Sequence, residues 1–167
     1  MTTGEQAGTI EGHTAHVLTL AFNKEDSHIA TAGADKYVKV WNVQSKEATQ
    51  TIGYHQGAVT DLFWTRDSNH IITACEDGIT RLCSPKNSKP VASLTGAGEI
   101  AYSVAASADR KHIYVGAHDG VVYVWGPDDK LIARLTADGS VAEDGAVEDC
   151  CAVLGMDSTL GAVKHPS

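Results

Sequence analysis

Three residues near the start of the chain have the side-chain types that make up a nucleophilic triad. His13, Thr31 and Asp35 offer a base, a hydroxyl and a carboxylate, and such a set activates a hydroxyl for acyl transfer when the groups are in contact. The same three types return 42 residues later, as His55, Thr73 and Asp77. Because a repeated set is typical of architecture, whereas an enzyme needs only one centre, we predict a structural role and no enzyme activity.

Histidines recur at the same spacing, as His28, His70 and His112. A ring of histidines suggests a metal, but metal ligands must converge within about 2.0–2.1 Å of one ion. Equivalent positions in neighbouring packed sheets lie about 10 Å apart. We therefore predict no metal site and interpret these histidines as solvent-facing turn residues.

Two further patterns concern cofactors and redox chemistry. Gly96, Gly98 and Ala101 have the spacing of a dinucleotide-binding loop, but that motif needs a helix after the loop, and Ala101 begins a predicted strand. The four cysteines include no Cys-x-x-Cys pair, so neither a zinc site nor a haem attachment motif is indicated. Cys150 and Cys151 are interpreted as apolar residues, with a redox pair as the less favoured alternative. No cofactor is predicted.

The elements that position these residues follow from the repeat itself. Its aspartates are Asp35, Asp77 and Asp119, and another repeated position holds Trp41, Cys83 and Trp125. Self-similarity at about 40–45 residues is typical of one four-stranded blade of a β-propeller. We predict an all-β chain with three four-stranded blades, residues 10–52, 53–94 and 95–135, after an N-terminal segment of residues 1–9.

Each repeat contains four short segments in which apolar residues alternate with small or polar ones, the pattern of a strand with one buried face. Asp77-Gly78 and Asp119-Gly120 separate the second segment from the third, and Asp-Gly favours a tight hairpin because its glycine adopts positive φ. The predicted strands are 17–22, 28–33, 37–43, 48–52, 59–64, 70–74, 79–83, 90–94, 101–106, 112–117, 121–125 and 131–135.

Residues 136–167 form an acidic tail that has two interpretations. Residues 145–149, Gly-Ala-Val-Glu-Asp, resemble residues 57–61, Gly-Ala-Val-Thr-Asp, which open the second repeat. A partial fourth blade over residues 147–163 is one interpretation. A flexible acidic extension is the other, and a five-residue match does not separate the two.

These repeats resemble those of WD-repeat proteins over residues 10–135. In that family a histidine before the first strand, a Ser or Thr in the second, an Asp in the next turn and a Trp in the third form a hydrogen-bonded network. The resemblance implies a complete network in the first blade and an eroded one in the second, where Cys83 replaces Trp. The third blade keeps only Asp119 and Trp125, because Ala97 and Val115 fill the other positions.

A looser resemblance covers residues 102–135, which are similar to the last blade of WD-repeat proteins from planctomycete-like bacteria. It implies that Leu135 ends the propeller. The loops before each first strand and the turns after each second strand should project at one rim, and loops on a rigid scaffold often carry binding residues. The candidate partner-binding rim, with an ordinary polar rim as the alternative, consists of His16, Lys36, Tyr54, Gln56, Glu76, Glu99 and His118.

Composition narrows the class of partner. The formal net charge is −8, and residues 136–167 carry six acidic side chains and one basic side chain. A nucleic-acid binder would show a clustered basic surface, so we predict no nucleic-acid partner.

The sequence has no apolar run near the roughly 20 residues that span a bilayer, and its start is polar. We expect a cytoplasmic protein with no membrane contact.

Three blades fall short of the usual 4–8 of a closed propeller. The ends of such an array expose apolar sheet faces, which seek a partner. We predict a non-enzymatic protein-interaction scaffold that completes its ring with another copy or chain, with a six-blade dimer favoured. The alternatives are a ligand-binding propeller domain of an enzyme assembly and a truncated propeller without an independent role.

Overall fold

The computed structural model describes residues 8–98 and 100–136, and these residues form strands, turns and loops. The predicted partial fourth blade, the rim residue Glu99 and residues 1–7 lie outside this part of the chain. The strands are β1 (Val17–Phe22), β2 (His28–Gly33), β3 (Val38–Asn42), β4 (Ala48–Ile52), β5 (Val59–Trp64), β6 (Ile71–Cys75), β7 (Thr80–Cys83), β8 (Pro90–Leu94), β9 (Ala101–Ala106), β10 (Ile113–Ala117), β11 (Val122–Trp125) and β12 (Leu131–Leu135).

Each repeat folds into one four-stranded antiparallel sheet, in the orders β1-β2-β3-β4, β5-β6-β7-β8 and β12-β11-β10-β9. These three blades confirm the all-β propeller prediction, and within the described residues they do not close into a ring. β6 and β10 begin one residue later than predicted. The reason is that pairing with the third strand begins at Ile71 with Cys83 and at Ile113 with Trp125, whereas in the first blade it already includes His28 and Asn42.

The hairpin between the second and third strands has the same backbone form in every blade. Gly78 and Gly120 adopt φ values of 73° and 79°, and Lys36, at the equivalent position of the first blade, adopts 69°. Positive φ costs a side chain with a Cβ roughly 1–2 kcal/mol. The first blade therefore forms with a lysine the turn that the other two form with glycine.

The blades pack face to face, and apolar side chains fill the two spaces between them. The middle blade is covered on both faces, so every residue of β6 is buried. The core between the first and second blades consists of Ala30, Ala32, Val38, Val40, Ile52, Val59, Leu62, Trp64, Ile71 and Cys83. The core between the second and third consists of Ile72, Ala74, Leu82, Leu94, Ala97, Ala101, Val104, Ile113, Val115, Tyr123 and Trp125.

Within residues 8–98 and 100–136, the structure contains no helix that is long and apolar enough to cross a membrane.

Candidate interaction surfaces

The first blade holds a chain of three hydrogen bonds that joins four side chains. The Asp35 carboxylate lies 2.7 Å from His13 Nδ1, and His13 Nε2 lies 2.7 Å from Thr31 Oγ1. Trp41 Nε1 donates to the same hydroxyl at 2.8 Å. If Nδ1 carries the histidine proton, His13 donates to Asp35 and Thr31 donates to His13 Nε2, so every polar group is satisfied.

This geometry has the order of a hydrolase triad, but its hydroxyl is not presented to a substrate. The side chains of His13 and Asp35 are only 7% and 2% exposed, and Trp41 occupies one side of the Thr31 hydroxyl. Burial raises the pKa of Asp35, but the hydrogen bond from His13 and two backbone N–H donors outweigh it and leave that pKa below its usual value. We interpret the arrangement as a buried polar network whose members satisfy one another, and its structural role remains a prediction.

The second blade uses the same residue types differently. His55 Nε2 lies 2.9 Å from Thr73 Oγ1, but Asp77 binds Arg81 instead, through Nη1 at 3.0 Å and Nη2 at 2.8 Å. His55 Nδ1 consequently has no hydrogen-bond partner among the described residues. Cys83, at the Trp position, lies in the apolar core.

The pairing of Asp77 with Arg81 changes the pKa values of the titratable groups in the second blade. Burial, with the nearby Arg81 charge, lowers the pKa of His55 to about 4. Burial raises the pKa of Asp77, but the Arg81 hydrogen bond and backbone donors outweigh it and bring that pKa to about 2. Burial raises the pKa of Cys83 to about 12. At neutral pH the blade therefore holds a neutral histidine, an ion pair and an unreactive thiol.

In the third blade the motif is reduced further. The Tyr123 hydroxyl donates to Asp119 Oδ2 at 2.6 Å, and the Val121 N–H donates to Oδ1 at 3.0 Å. Val115 is buried where the other blades have threonine, and Trp125 Nε1 has no partner among the described residues. The third blade replaces the polar network with packing and keeps one surface contact.

Sequence reasoning missed one position of the motif, in the middle of the third strand. It holds Lys39, Arg81 and Tyr123, again 42 residues apart. Lys39 Nζ donates to the Gly12 carbonyl at 2.7 Å, whereas the arginine and the tyrosine each bind the aspartate of their blade. The sequence did contain a sign of this position, because a long side chain with a hydrogen-bond donor recurs there at the spacing of the repeat.

A second missed set joins the three innermost strands. Asp61 Oδ1 accepts from Thr19 Oγ1 at 3.1 Å, and Asp61 Oδ2 accepts from Ser103 Oγ at 3.2 Å and from the Val104 N–H at 2.9 Å. Thr19, Asp61 and Ser103 are equivalent residues of the repeat. Their polar groups satisfy one another, so we interpret the set as a tie between blades.

The three recurrent histidines are partly buried, which differs from the predicted solvent-facing turn positions. His28 Nδ1 lies 3.0 Å from Ser27 Oγ, and His70 Nδ1 lies 2.7 Å from Arg110 Nη1 of the next blade. His70 thus contacts both its own turn and the third blade. Within residues 8–98 and 100–136, no three His, Cys, Asp or Glu side chains form a group that could hold a metal ion.

The rim residues that the structure describes, which exclude Glu99, lie in exposed loops where first strands begin and second strands end. Backbone bonds join the two kinds of loop, as from Ala34 N to His16 O and from His118 N to Ile100 O. Lys36 Nζ crosses from the first blade to the Gln56 carbonyl of the second at 2.8 Å. Glu76 is exposed but its carboxylate accepts from Ala58 N. Partner contact at this rim remains a prediction.

Tyr54 is the most unusual residue of the rim. Its side chain is 53% exposed and its φ is 75°. Left-handed backbone at a tyrosine is uncommon and strained, and such strain concentrates where the residue serves a function. Tyr54 thus combines an exposed aromatic side chain with a strained backbone, and its contact with a partner remains a prediction.

The outer face of the first blade is exposed and apolar. Val17 is 48% exposed, Leu20 56% and Phe22 49%. Their equivalents in the second blade, which pack on the first blade, are Val59, Leu62 and Trp64, with exposures of 0%, 5% and 7%. The first blade thus presents the side chains of an interblade contact without the other half. We call Val17, Leu20 and Phe22 the open face.

The far face of the third blade is less exposed than a bare end would be. Val124 and Ala133 are buried there, and Tyr114, Ile132 and Leu135 are partly buried and pack against them. The far face of the third blade is therefore less open than that of the first blade, and Tyr114, Ile132 and Leu135 keep part of its apolar surface exposed.

Comparison with known families identifies the repeat. The family model described as WD domain, G-beta repeat matches the chain three times, over residues 4–42, 46–84 and 88–126. The second match contains β4 and then β5, β6 and β7, so one sequence unit joins the outer strand of one blade to three strands of the next. A search among curated proteins finds no match.

Proposed function

The chain belongs to the WD-repeat family, and we propose that it is a non-enzymatic scaffold that completes its propeller by docking a second copy of itself. WD repeats typically mediate contacts between proteins. Three blades are fewer than closed propellers contain, and two copies would bring six, which lies in the usual range.

One observation carries this proposal, namely the open face itself. Leu20 and Leu62 are the same residue type at equivalent positions, and only the second is covered. Burying apolar surface contributes roughly 25 cal/mol per Å², so the open face favours a contact like the one that covers Leu62. A soluble chain rarely leaves a contiguous apolar patch of this kind without use.

A second copy suits the open face because this kind of contact between two blades already occurs twice within the chain. The chain therefore contains both of the surfaces that such a contact needs. The first blade receives the second, and the second receives the third, each time through the same register of apolar side chains. Docking the open face of one copy on the third blade of the next repeats this contact a third time. Two such head-to-tail contacts close a ring.

Light scattering coupled to size exclusion, across a concentration series, tests the proposal. We expect a concentration-dependent rise from the monomer mass of 17.6 kDa to twice that value. Leu20→Glu should keep the chain monomeric, because a charge cannot be buried in an apolar contact without a partner.

Val91→Glu is the matched control, because Val91 is as exposed as Leu20, at 57%, and lies on β8, the outer strand of the middle blade. It should leave the association unchanged. A wild-type chain that stays monomeric at every concentration, or two variants that behave alike, would overturn the proposal.

A further inference from the structure

The contact between copies, which rests on the proposed function, has a polar side as well as an apolar one. Within the chain, the turn between the first and second strands of the second blade and that of the third blade each contact the preceding blade. Ser68 Oγ donates to Glu25 Oε2 at 2.6 Å and accepts from Lys24 N at 3.2 Å. One blade later, Arg110 Nη1 lies 2.7 Å from His70 Nδ1. Each internal contact therefore pairs a donor on the incoming turn with an acceptor on the preceding blade.

The residue that makes this contact occupies the same position of the turn in each blade and has the same backbone conformation there. Ser68 and Arg110 adopt φ values of 56° and 58°, and Asp26, at the equivalent position of the first blade, adopts 53°. In all three blades the first residue of the turn accepts a hydrogen bond from the backbone N–H that begins the second strand; the acceptor and donor residues are Asn23 and His28, Thr65 and His70, and Ser107 and His112. The turns are structurally interchangeable.

A contact between copies would therefore bring Asp26 of one copy to the third blade of the next. The equivalents of Glu25 and His70 there are Asp109 and His112. Asp26 cannot donate a hydrogen bond as Ser68 and Arg110 do, because a carboxylate only accepts. Asp109 is also a carboxylate, and like charges in contact disfavour association. His112 is the group in this corner that can supply both a donor and a titrating positive charge.

We propose that Asp26 of one copy pairs with protonated His112 of the next, so that the propeller closes more tightly as the pH falls through the histidine range. An isolated histidine titrates near pH 6.5, and a facing carboxylate favours its charged form. Inside the chain the same corner is filled by the permanent charge of Arg110, which needs no proton. Protonated His70 could not accept from Arg110, and burial together with the Arg110 charge lowers the pKa of His70. The internal contact therefore needs a neutral histidine, whereas the contact between copies needs a charged one.

Other charged groups face this corner from both sides. Lys24, Glu25 and His28 flank Asp26 on the first blade, and Arg110 and Lys111 flank His112 on the third. Asp109 is already bound to Ser107 Oγ at 2.7 Å and to the Lys111 N–H at 3.1 Å, and Lys111 Nζ lies 3.8 Å from it. The ordinary pKa values of lysine, aspartate and glutamate lie outside the interval between pH 5.5 and 7.5. Histidine is the side chain whose ordinary pKa lies in that interval.

Sedimentation of the full chain at pH 7.5 and pH 5.5 measures the effect. An exposed ion pair changes a dissociation constant by up to roughly fivefold, and a closed dimer contains two such contacts. We expect the dimer to tighten at pH 5.5 and the His112→Gln variant to lose this response. Asp26→Arg should tighten the dimer at pH 7.5, because it recreates the His70–Arg110 contact between copies.

His16→Gln is the control, since His16 lies at the opposite end of the strands and should keep the pH response. The lower pH stays above the pKa of about 4 of buried His55, and circular dichroism of each variant verifies the fold. A dimer with the same affinity at both pH values, or one weakened by Asp26→Arg, overturns this inference and leaves the proposed function standing. A wild-type monomer under all conditions overturns both.

Discussion

The first and second blades have nearly the same residues on the same face, yet one face is open and the other is core. Val17 matches Val59 and Leu20 matches Leu62, but the first member of each pair is about half exposed and the second is buried. Both blades have the same strand order and the same bulge near the start of their first strands. The comparison shows that burial of a side chain in a repeat protein depends on whether a neighbouring blade covers its face. This agrees with the general behaviour of repeat proteins, in which each repeat is stabilised by contacts with its neighbours.

The two blades also differ in which side chain binds the aspartate that recurs in each repeat. Asp35 binds His13, whereas Asp77 binds Arg81 and leaves His55 with one unsatisfied nitrogen. The His, Thr and Asp positions are the same, but Arg81 stands where the first blade has Lys39, and Cys83 stands where it has Trp41. The Arg81 guanidinium binds the Asp77 carboxylate, so the residues around the shared positions decide how the network is connected.

The largest expected difference between the blades is the cost of truncating their matched leucines. Leu62→Ala should reduce the free energy of unfolding by about 2–5 kcal/mol, because it leaves a cavity in a packed core. Leu20→Ala should change it by about 0.5 kcal/mol or less, as for an exposed residue. Urea denaturation at low protein concentration measures both. Equal losses would mean that the open face is covered in the monomer.

The second prediction concerns pH. An unfolded histidine titrates near pH 6.5, whereas folded His55 has a pKa of about 4. Between these values the unfolded chain binds a proton that the folded chain rejects, so stability falls as the pH decreases through this window. The loss is on the order of 3 kcal/mol when the window has been crossed.

His55→Gln should flatten the stability profile between pH 6.5 and 4, whereas His13→Gln should retain the fall. Denaturation across this pH range compares the two variants with the wild-type chain. If His13→Gln flattened the profile and His55→Gln did not, the contrast between a partnered and an unsatisfied histidine would be wrong.

The smallest of the three effects compares aspartates. Asp35→Ala should cost about 1–3 kcal/mol, because the buried donors of His13 and of the backbone lose their acceptor. Asp119→Ala should cost less, because Asp119 is exposed and water can replace its carboxylate near Tyr123. Thermal or urea melts of the two variants rank them, and the reverse order would contradict the roles given to the networks.

The sequence by itself determined the repeat, the blade type and most strand positions. These features are local, because alternation of side chains decides which face of a strand is apolar, and Asp77-Gly78 and Asp119-Gly120 define hairpins through positive φ at their glycines. Recurrence at a fixed spacing reinforced each of these signals. The shifted starts of β6 and β10 were missed because pairing with the third strand begins at Ile71 and Ile113, and alternation within one strand does not encode where its pairing with the next strand begins.

Only the tertiary structure decided which groups meet. Arg81 and Tyr123 bind their aspartates from another strand, and Asp61 collects donors from two neighbouring blades. Whether Leu20 or Leu62 is buried depends on a sheet that lies beside it, not on the residues around it in the chain. Hydrogen bonds and burial are properties of pairs of surfaces, and one sequence pattern specifies only one surface of each pair.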